Sequence, residues 1–492
     1  MVVKTPTKSP WHLDIISLIV EHVHDRRDLY NCALVNRPFH CAVTPRLYRV
    51  LDTQRTHGIN GSRVVHPAST LLQRPAYANY VRHISETATA GDVALTLLPS
   101  ATAAFRLCTN LSSFSWTGGG FLSDDDFDLL TYLDTILTNN VPLRDLVIRA
   151  SPGLSLPVWN RLKKLTNLKS LGLWCLEAEH ELVISPLSDL YMQYLSYLPN
   201  LRSLCLKAAI RCSVPDILTL LPTLTSLEVE YYGFSPIARR SPSFSQTSTS
   251  FPSTPPPSLP NTPITPTTTF TTSILPYSLP SPSIPQQTAS LHTLTVTTSA
   301  LSISSPHNHT EMWAWISQLI PNPHTLHSFT LRAFSPNAVE MPWEFWSGLA
   351  RVHGRSVRVL EVEGVILPLG FGVGMRMGMG CQREDCDPED ENECMFPKLE
   401  KLACALPTNA NLSTIATLLT LAPALRELKL THPSLTLNLD IAKRWMTRDG
   451  SQLRVVELGE ARYMGEWKFC ENTWERSFEV KCGSNKSCIT WI

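Results

Sequence analysis

The chain has no surplus of either charge. Lys plus Arg and Asp plus Glu both number 42 in 492 residues. A general nucleic-acid or anionic-membrane binder, which works through bulk positive field, is therefore not expected. No apolar run approaches the ~20 residues that span a bilayer. The early one, Ile15 to Val20, is short and lies between Asp14 and Glu21, so neither a signal peptide nor a membrane span is expected. Thirteen cysteines is an odd number, and they lack framework spacing, which excludes a disulfide scaffold and fits a reducing compartment, cytoplasmic or nuclear.

Catalytic signatures are missing as well. The glycine run from Gly370 to Gly380 misses the dinucleotide fingerprint, because the third glycine would fall at Met375 or Met377. His180-Glu181 is followed at the second zinc-ligand position by Ile184. Cys381, Cys386 and Cys394 have no paired C-x-x-C after them, and Asp385-x-Asp387 has Asp390 where a calcium loop needs glycine. There is no P-loop and no G-x-S-x-G. The expectation is no catalytic residue, no cofactor and no metal: a binding protein, not an enzyme.

What the chain has in quantity is one phrase. It reads Leu201-Arg-Ser-Leu204-Cys-Leu206, and returns as Leu168-Leu171-Leu173, Leu224-Leu227-Val229 and Leu425-Leu428-Leu430. Looser copies open at Leu111, Leu143, Leu291, Leu326, Val357, Leu399 and Leu453, eleven in all. The last two apolar positions alternate, a strand signal. Between phrases run helical patterns, at Pro186 to Leu198, Asp126 to Leu137 and Asn411 to Leu421. This is the L-x-x-L-x-L core of a leucine-rich repeat, whose units cannot bury their own faces and must stack. The fold class expected is an α/β leucine-rich-repeat solenoid carrying a small N-terminal helical head.

The expected organisation is a disordered 1–10, a helical head at 11–52, a linker helix and first strand at 53–110, and repeats at 111–234. A Pro/Ser/Thr-rich insertion follows at 235–290, with 13 of the 38 prolines and only Arg239 and Arg240 as charges. Repeats resume at 291–367, a Gly-rich then acidic loop fills 368–396, and repeats with a Trp- and Cys-rich cap fill 397–492. Strand alternation puts the residues flanking the last two leucines on the open surface. Arg149, Trp174, Lys207, Glu361 and Glu363 are the substrate-binding candidates among them. Trp174 is either an anchor for a partner or a side chain folded over Gly172.

In the head, Ile15, Ile16, Leu18, Ile19 and Val23 form one broad stripe after Asp14, and Asp28 stands where it could cap a second helix. Asp14-Ile-Ile-Ser-Leu-Ile-Val-Glu-His-Val23, Asp28-Leu29, Cys32-Ala-Leu-Val-Asn-Arg37, Phe39-His40 and Pro45-Arg-Leu-Tyr48 together resemble the F-box of fungal F-box proteins. Leu71 to Pro75 and Tyr80 to Ile84 look like the helix and strand that join such a box to its repeats. Trp11-His12-Leu13 stands where the family usually opens with Leu-Pro. The resemblance implies docking to the Skp adaptor of a cullin–RING ubiquitin ligase, with an unknown protein substrate on the repeats. Adaptor-binding residues would be Ile16, Ile19, Leu34 and Val35, with Leu29 and Phe39 shaping the unit. Two alternatives are a ligase-independent scaffold or inhibitor, and a small-GTPase regulator, which would need a placed Arg or Asn.

Overall fold

The computed structural model describes residues 13–52, 67–87, 92–118, 125–150, 154–175, 193–207, 214–231, 289–298, 306–334, 339–368, 396–432, 434–470 and 475–484. The Pro/Ser/Thr-rich tract and the Gly-rich acidic loop with its three cysteines lie outside these residues. So does all but the last turn of the helix expected at 186–198, where 193–195 are helical.

Three helices open the chain: α1 (Leu13–Glu21), α2 (Arg26–Val35) and α3 (Arg37–Leu47). The expected cap at Asp28 is corrected. Asp25 caps α2, its carboxylate accepting from the N–H groups of Arg27 and Asp28, and Asp28 sits in the first turn, where an acid suits the helix dipole. A third helix was not foreseen. Asn36 caps it through the N–H of Phe39 at 2.9 Å, and Pro38 fills its first turn, where the missing N–H costs nothing. Arg46 of α3 reaches back to the carbonyl of Val20.

Everything after the head joins one mixed α/β array whose strands form a single sheet of 16. The first seven strands are β1 (Val50–Asp52), β2 (His83–Thr87), β3 (Ser113–Thr117), β4 (Asp145–Ala150), β5 (Ser170–Cys175), β6 (Ser203–Lys207) and β7 (Ser226–Tyr231). Next come β8 (Thr293–Thr298), β9 (Ser328–Ala333), the short β10 (Val339–Glu340), β11 (Val359–Ile366), β12 (Lys401–Ala405), β13 (Glu427–Thr431) and β14 (Val455–Leu458). Apart from β10, which pairs only with β11, each strand lies beside the next in sequence and parallel to it. All eleven phrases place their last two apolar residues on one of these strands. None of the eleven opening residues is more than 3% exposed. Helices return between strands, among them α4 (Pro67–Gln73), α5 (Asp92–Phe105), α6 (Asp125–Thr138), α7 (Leu156–Leu162), α8 (Val214–Leu220), α9 (Pro306–Leu319) and α10 (Trp343–His353). The last two are α11 (Leu412–Leu421), which Asn411 caps, and α12 (Leu439–Met446). Their buried residues and the strand leucines make one continuous core from Leu51 to Tyr463.

The sheet begins earlier than the phrases indicate. Residues 50–52, expected in the head, are its first strand, with Leu51 in the main core. Val81-x-x-Ile84-x-Glu86 is a twelfth copy with a carboxylate in the last leucine slot, and Glu86 is buried. The slot tolerates it because the buried Tyr132 hydroxyl bonds to it; burial first, and the Glu86 charge second, push the Tyr132 hydroxyl well above its usual range. At the far end the cap is a hairpin, β15 (Ala461–Cys470) and β16 (Glu475–Ser484), with β15 antiparallel both to β14 and to β16. Trp467 is exposed there, edge-to-face with Phe478 at 5.0 Å between ring centroids; Trp474, Cys488 and Trp491 lie outside the described residues. β11 carries a bulge between Glu361 and Ile366. Gly364 within it has φ +73° and lies against the Ala333 carbonyl, where a Cβ would overlap that oxygen.

One buried group ties stability to pH. His353 is 1% exposed, its Nε2–H donating to the Ile320 carbonyl at 3.2 Å, while Nδ1 has no partner among the described residues. Burial holds this imidazole below its usual range, against the pull of that hydrogen bond. The neutral form is favoured in the folded state, so its contribution is complete above the unfolded value of about 6.5 and is lost as pH falls below it. Between pH 5.5 and 6.5, His353→Gln should lower the slope of unfolding free energy against pH by up to ~1.4 kcal/mol per unit. Urea melts of both proteins measure this, and equal slopes would show that His353 does not titrate on unfolding.

Candidate protein-binding surfaces

The head has two apolar sides and enough partners for only one. Ile16 and Val20, one turn apart on α1, pack with Leu29 of α2 and Val43 of α3 as a small core distinct from the main one. Ile16 was expected at the adaptor surface; at 5% exposed it is a core position. The other side of α1 shows Ile15 at 40%, Leu18 at 57% and Ile19 at 44% exposed. On α2, Tyr30, Leu34 and Val35 are 57%, 67% and 65% exposed. Three of the four named candidates, Ile19, Leu34 and Val35, are thus at the surface, and Ile15, Leu18 and Tyr30 join them. Leu29 is in the small core, and Phe39 is partly buried against it, as expected of residues that shape the unit. In sequence α1 carries one broad stripe; the small core covers its Ile16–Val20 side and leaves Ile15, Leu18 and Ile19 at the surface.

On the array, strand register brings the open-face candidates into rows. Arg149 of β4 stands opposite Trp174 of β5, and Trp174 opposite Lys207 of β6. The Arg149 guanidinium carbon is 4.2 Å from the indole centroid and the Lys207 ammonium 4.4 Å, approaching from the strands on either side. The indole nitrogen leans over Gly172, 3.7 Å from where a Cβ would stand. Trp174 therefore folds over Gly172, as one of the two sequence readings had it, and two cations occupy its ring.

The charges on this face answer one another. Lys207 binds Glu228 at 2.6 Å. Lys401 lies between Glu361 at 2.8 Å and Glu427 at 3.6 Å, and the Glu361 hydrogen bond raises the ammonium's pKa. Lys429 meets Glu457 at 3.2 Å. Glu363 has only a long contact to Arg332 at 3.9 Å, and its side chain stays 73% exposed. Each such pair is worth only about 0–1 kcal/mol, but together they leave little unanswered charge to attract a ligand.

Burial pushes the thiols of Cys108, Cys205 and Cys404 up to about 12, so these three are not nucleophiles near neutral pH. Among the described residues no cluster of three or more His, Cys, Asp or Glu could hold a metal, and no helix is long and apolar enough to cross a membrane.

No family model and no curated protein matches the chain. Among solved structures it is similar to a chain of the crystal structure of the Rad7 and Elc1 complex in yeast. That match has 13% identity, covers 90% of this chain and 92% of that one, and has a TM-score of 0.41. It is also similar to the TLR13–ssRNA13 complex, at 12% identity and a TM-score of 0.33, covering 84% of this chain and 48% of that one. Likenesses this distant leave function to the chain's own residues.

The sandwich around Trp174 predicts a stability role. Cation–π contacts at partly exposed sites contribute ~0.5–1 kcal/mol each, so Trp174→Ala should lower unfolding stability by about 1–2 kcal/mol. A urea melt with a lower midpoint and unchanged slope is the expected result; an unchanged midpoint would mean that the indole is a solvated bystander.

Proposed function

We propose that this chain is a non-enzymatic substrate receptor. Its head acts as an F-box that docks on the Skp adaptor of a cullin ubiquitin ligase. Its repeat array, a leucine-rich-repeat solenoid, holds a protein target. The observation that carries this reading is the pair of uncovered apolar helix faces in the first 35 residues: Ile15, Leu18 and Ile19 on α1, with Tyr30, Leu34 and Val35 on α2. Fully burying a side chain of this size is worth ~1.5–3 kcal/mol, and exposed sets of this kind mark interaction sites. The head is itself near the ~40-residue limit below which a unit needs outside support. Its segments Asp14 to Val23 and Asp28 to His40 are the ones that resemble an F-box.

The proposed mechanism is one of position. A target held on the array while the head sits on the ligase experiences the ubiquitin carrier at high effective concentration, and no catalytic side chain is required of this chain. Such a ligase operates in the cytoplasm or nucleus, which also suits thirteen cysteines without framework spacing.

The test is co-purification of the tagged full-length chain with the Skp adaptor and cullin. The double variant Leu18→Asp/Leu34→Asp changes only exposed positions, so its thermal midpoint should stay within a few degrees of the parent. It should lose both partners. Ile16→Asp, by contrast, buries a charge and should unfold the head. If the double variant keeps adaptor and cullin at parental levels, the docking assignment is wrong.

A further inference from the structure

A second surface lies where each unit turns into its strand. The residue after each opening apolar position forms a backbone ladder of its own. Lys169 N–H donates to the Arg144 carbonyl at 2.7 Å, Arg202 to Lys169 at 2.8 Å, and Thr225 to Arg202 at 2.8 Å. The ladder continues through His292, His327 and Arg358, each step again 2.8 Å. These seven consecutive rungs hold four cations, two histidines and a threonine, and no acid. All but the half-buried Thr225 are exposed.

Backbone pairing holds neighbouring rungs ~4.8 Å apart, and like charges set side by side across strands repel. Three to five residues further along, Lys207, Glu228 and Glu361 on the open face are neutralised in cross-strand pairs. The charges of the ladder are not. Arg144, Lys169 and Arg202 have no ion pair among the described residues, and Arg358 has only Glu400 at 3.7 Å. Burial first, then the charges of His292, Arg358 and Lys398, hold His327 below its usual range.

We propose that this strand-entry ladder is a docking track for an acidic segment of a partner protein. Six steps of about 4.8 Å span about 29 Å, and an extended chain at ~3.3 Å per residue needs about nine residues to follow it. A polyelectrolyte fits less well. The protein as a whole is neutral, so long-range attraction is absent. No Phe, Tyr or Trp among these rungs offers a stacking platform for bases. The inference stands on the ladder alone, whether or not the head docks an adaptor.

Fluorescence anisotropy of a labelled deca-glutamate peptide, titrated with the full-length chain, tests it. Binding at low ionic strength that weakens with salt is expected. Lys169→Gln/Arg202→Gln should reduce affinity at least ten-fold with an unchanged thermal midpoint, while Arg332→Gln on the open face should not. The proposal is overturned if the parent fails to bind the peptide at low salt. It is equally overturned if the ladder variant binds as well as the parent, or if a ten-nucleotide oligothymidylate binds more tightly than the peptide and is lost in that variant.

Discussion

No unit of this chain can bury its own apolar face, and the rest of the structure follows from that constraint. A strand of five or six residues and a helix of two to four turns offer a few leucines on one side only. Those leucines leave water when the next unit closes over them and its strand completes the backbone pairing. The opening residue of every phrase is at most 3% exposed. Two open ends remain. The three-helix head with β1 lies at the first, and the antiparallel β15–β16 hairpin closes the second.

Parallel register has a further consequence. It places equivalent positions of successive units side by side, so a residue preference at one position becomes a row along the molecule. Apolar preference becomes the core. Mixed charge becomes paired rows, as in Lys207–Glu228 and Lys401–Glu361. A single large aromatic, Trp174, finds a glycine beneath it and cations to both sides because register supplies them. Basic preference in the turn position becomes an uncompensated row in a protein of no net charge.

The head works under the opposite limit. Among the described residues, Ile16, Val20, Leu29 and Val43 are the buried hydrophobics of its own core. Its helices are nonetheless apolar on more than one side, so its sequence is richer in hydrophobic residues than its interior can use. A covering surface resolves that imbalance, whereas the units of the array cover one another's strand leucines in one continuous core.

The eleven phrases were legible because the strand period of two and the burial of alternate leucines are local properties, written within six residues. The helical pattern from Asn411 to Leu421 was legible for the same reason. Other features depended on partners far apart in the chain. Glu86 hid a twelfth phrase because only the Tyr132 hydroxyl, 46 residues on, makes a carboxylate acceptable in a leucine slot. Ile16 and Ile19 share one stripe in sequence; which of them is buried was decided by Leu29 and Val43 arriving on one side. The basic residue after Leu143, Leu168 and Leu201 was visible in every copy, yet read singly it is an ordinary solvated charge. The sequence alone determined the repeating unit and the apolar excess of the head. Tertiary structure decided which charges are answered and which are left bare, because electrostatic partnership across a sheet depends on register between units, and register exists only once they are stacked.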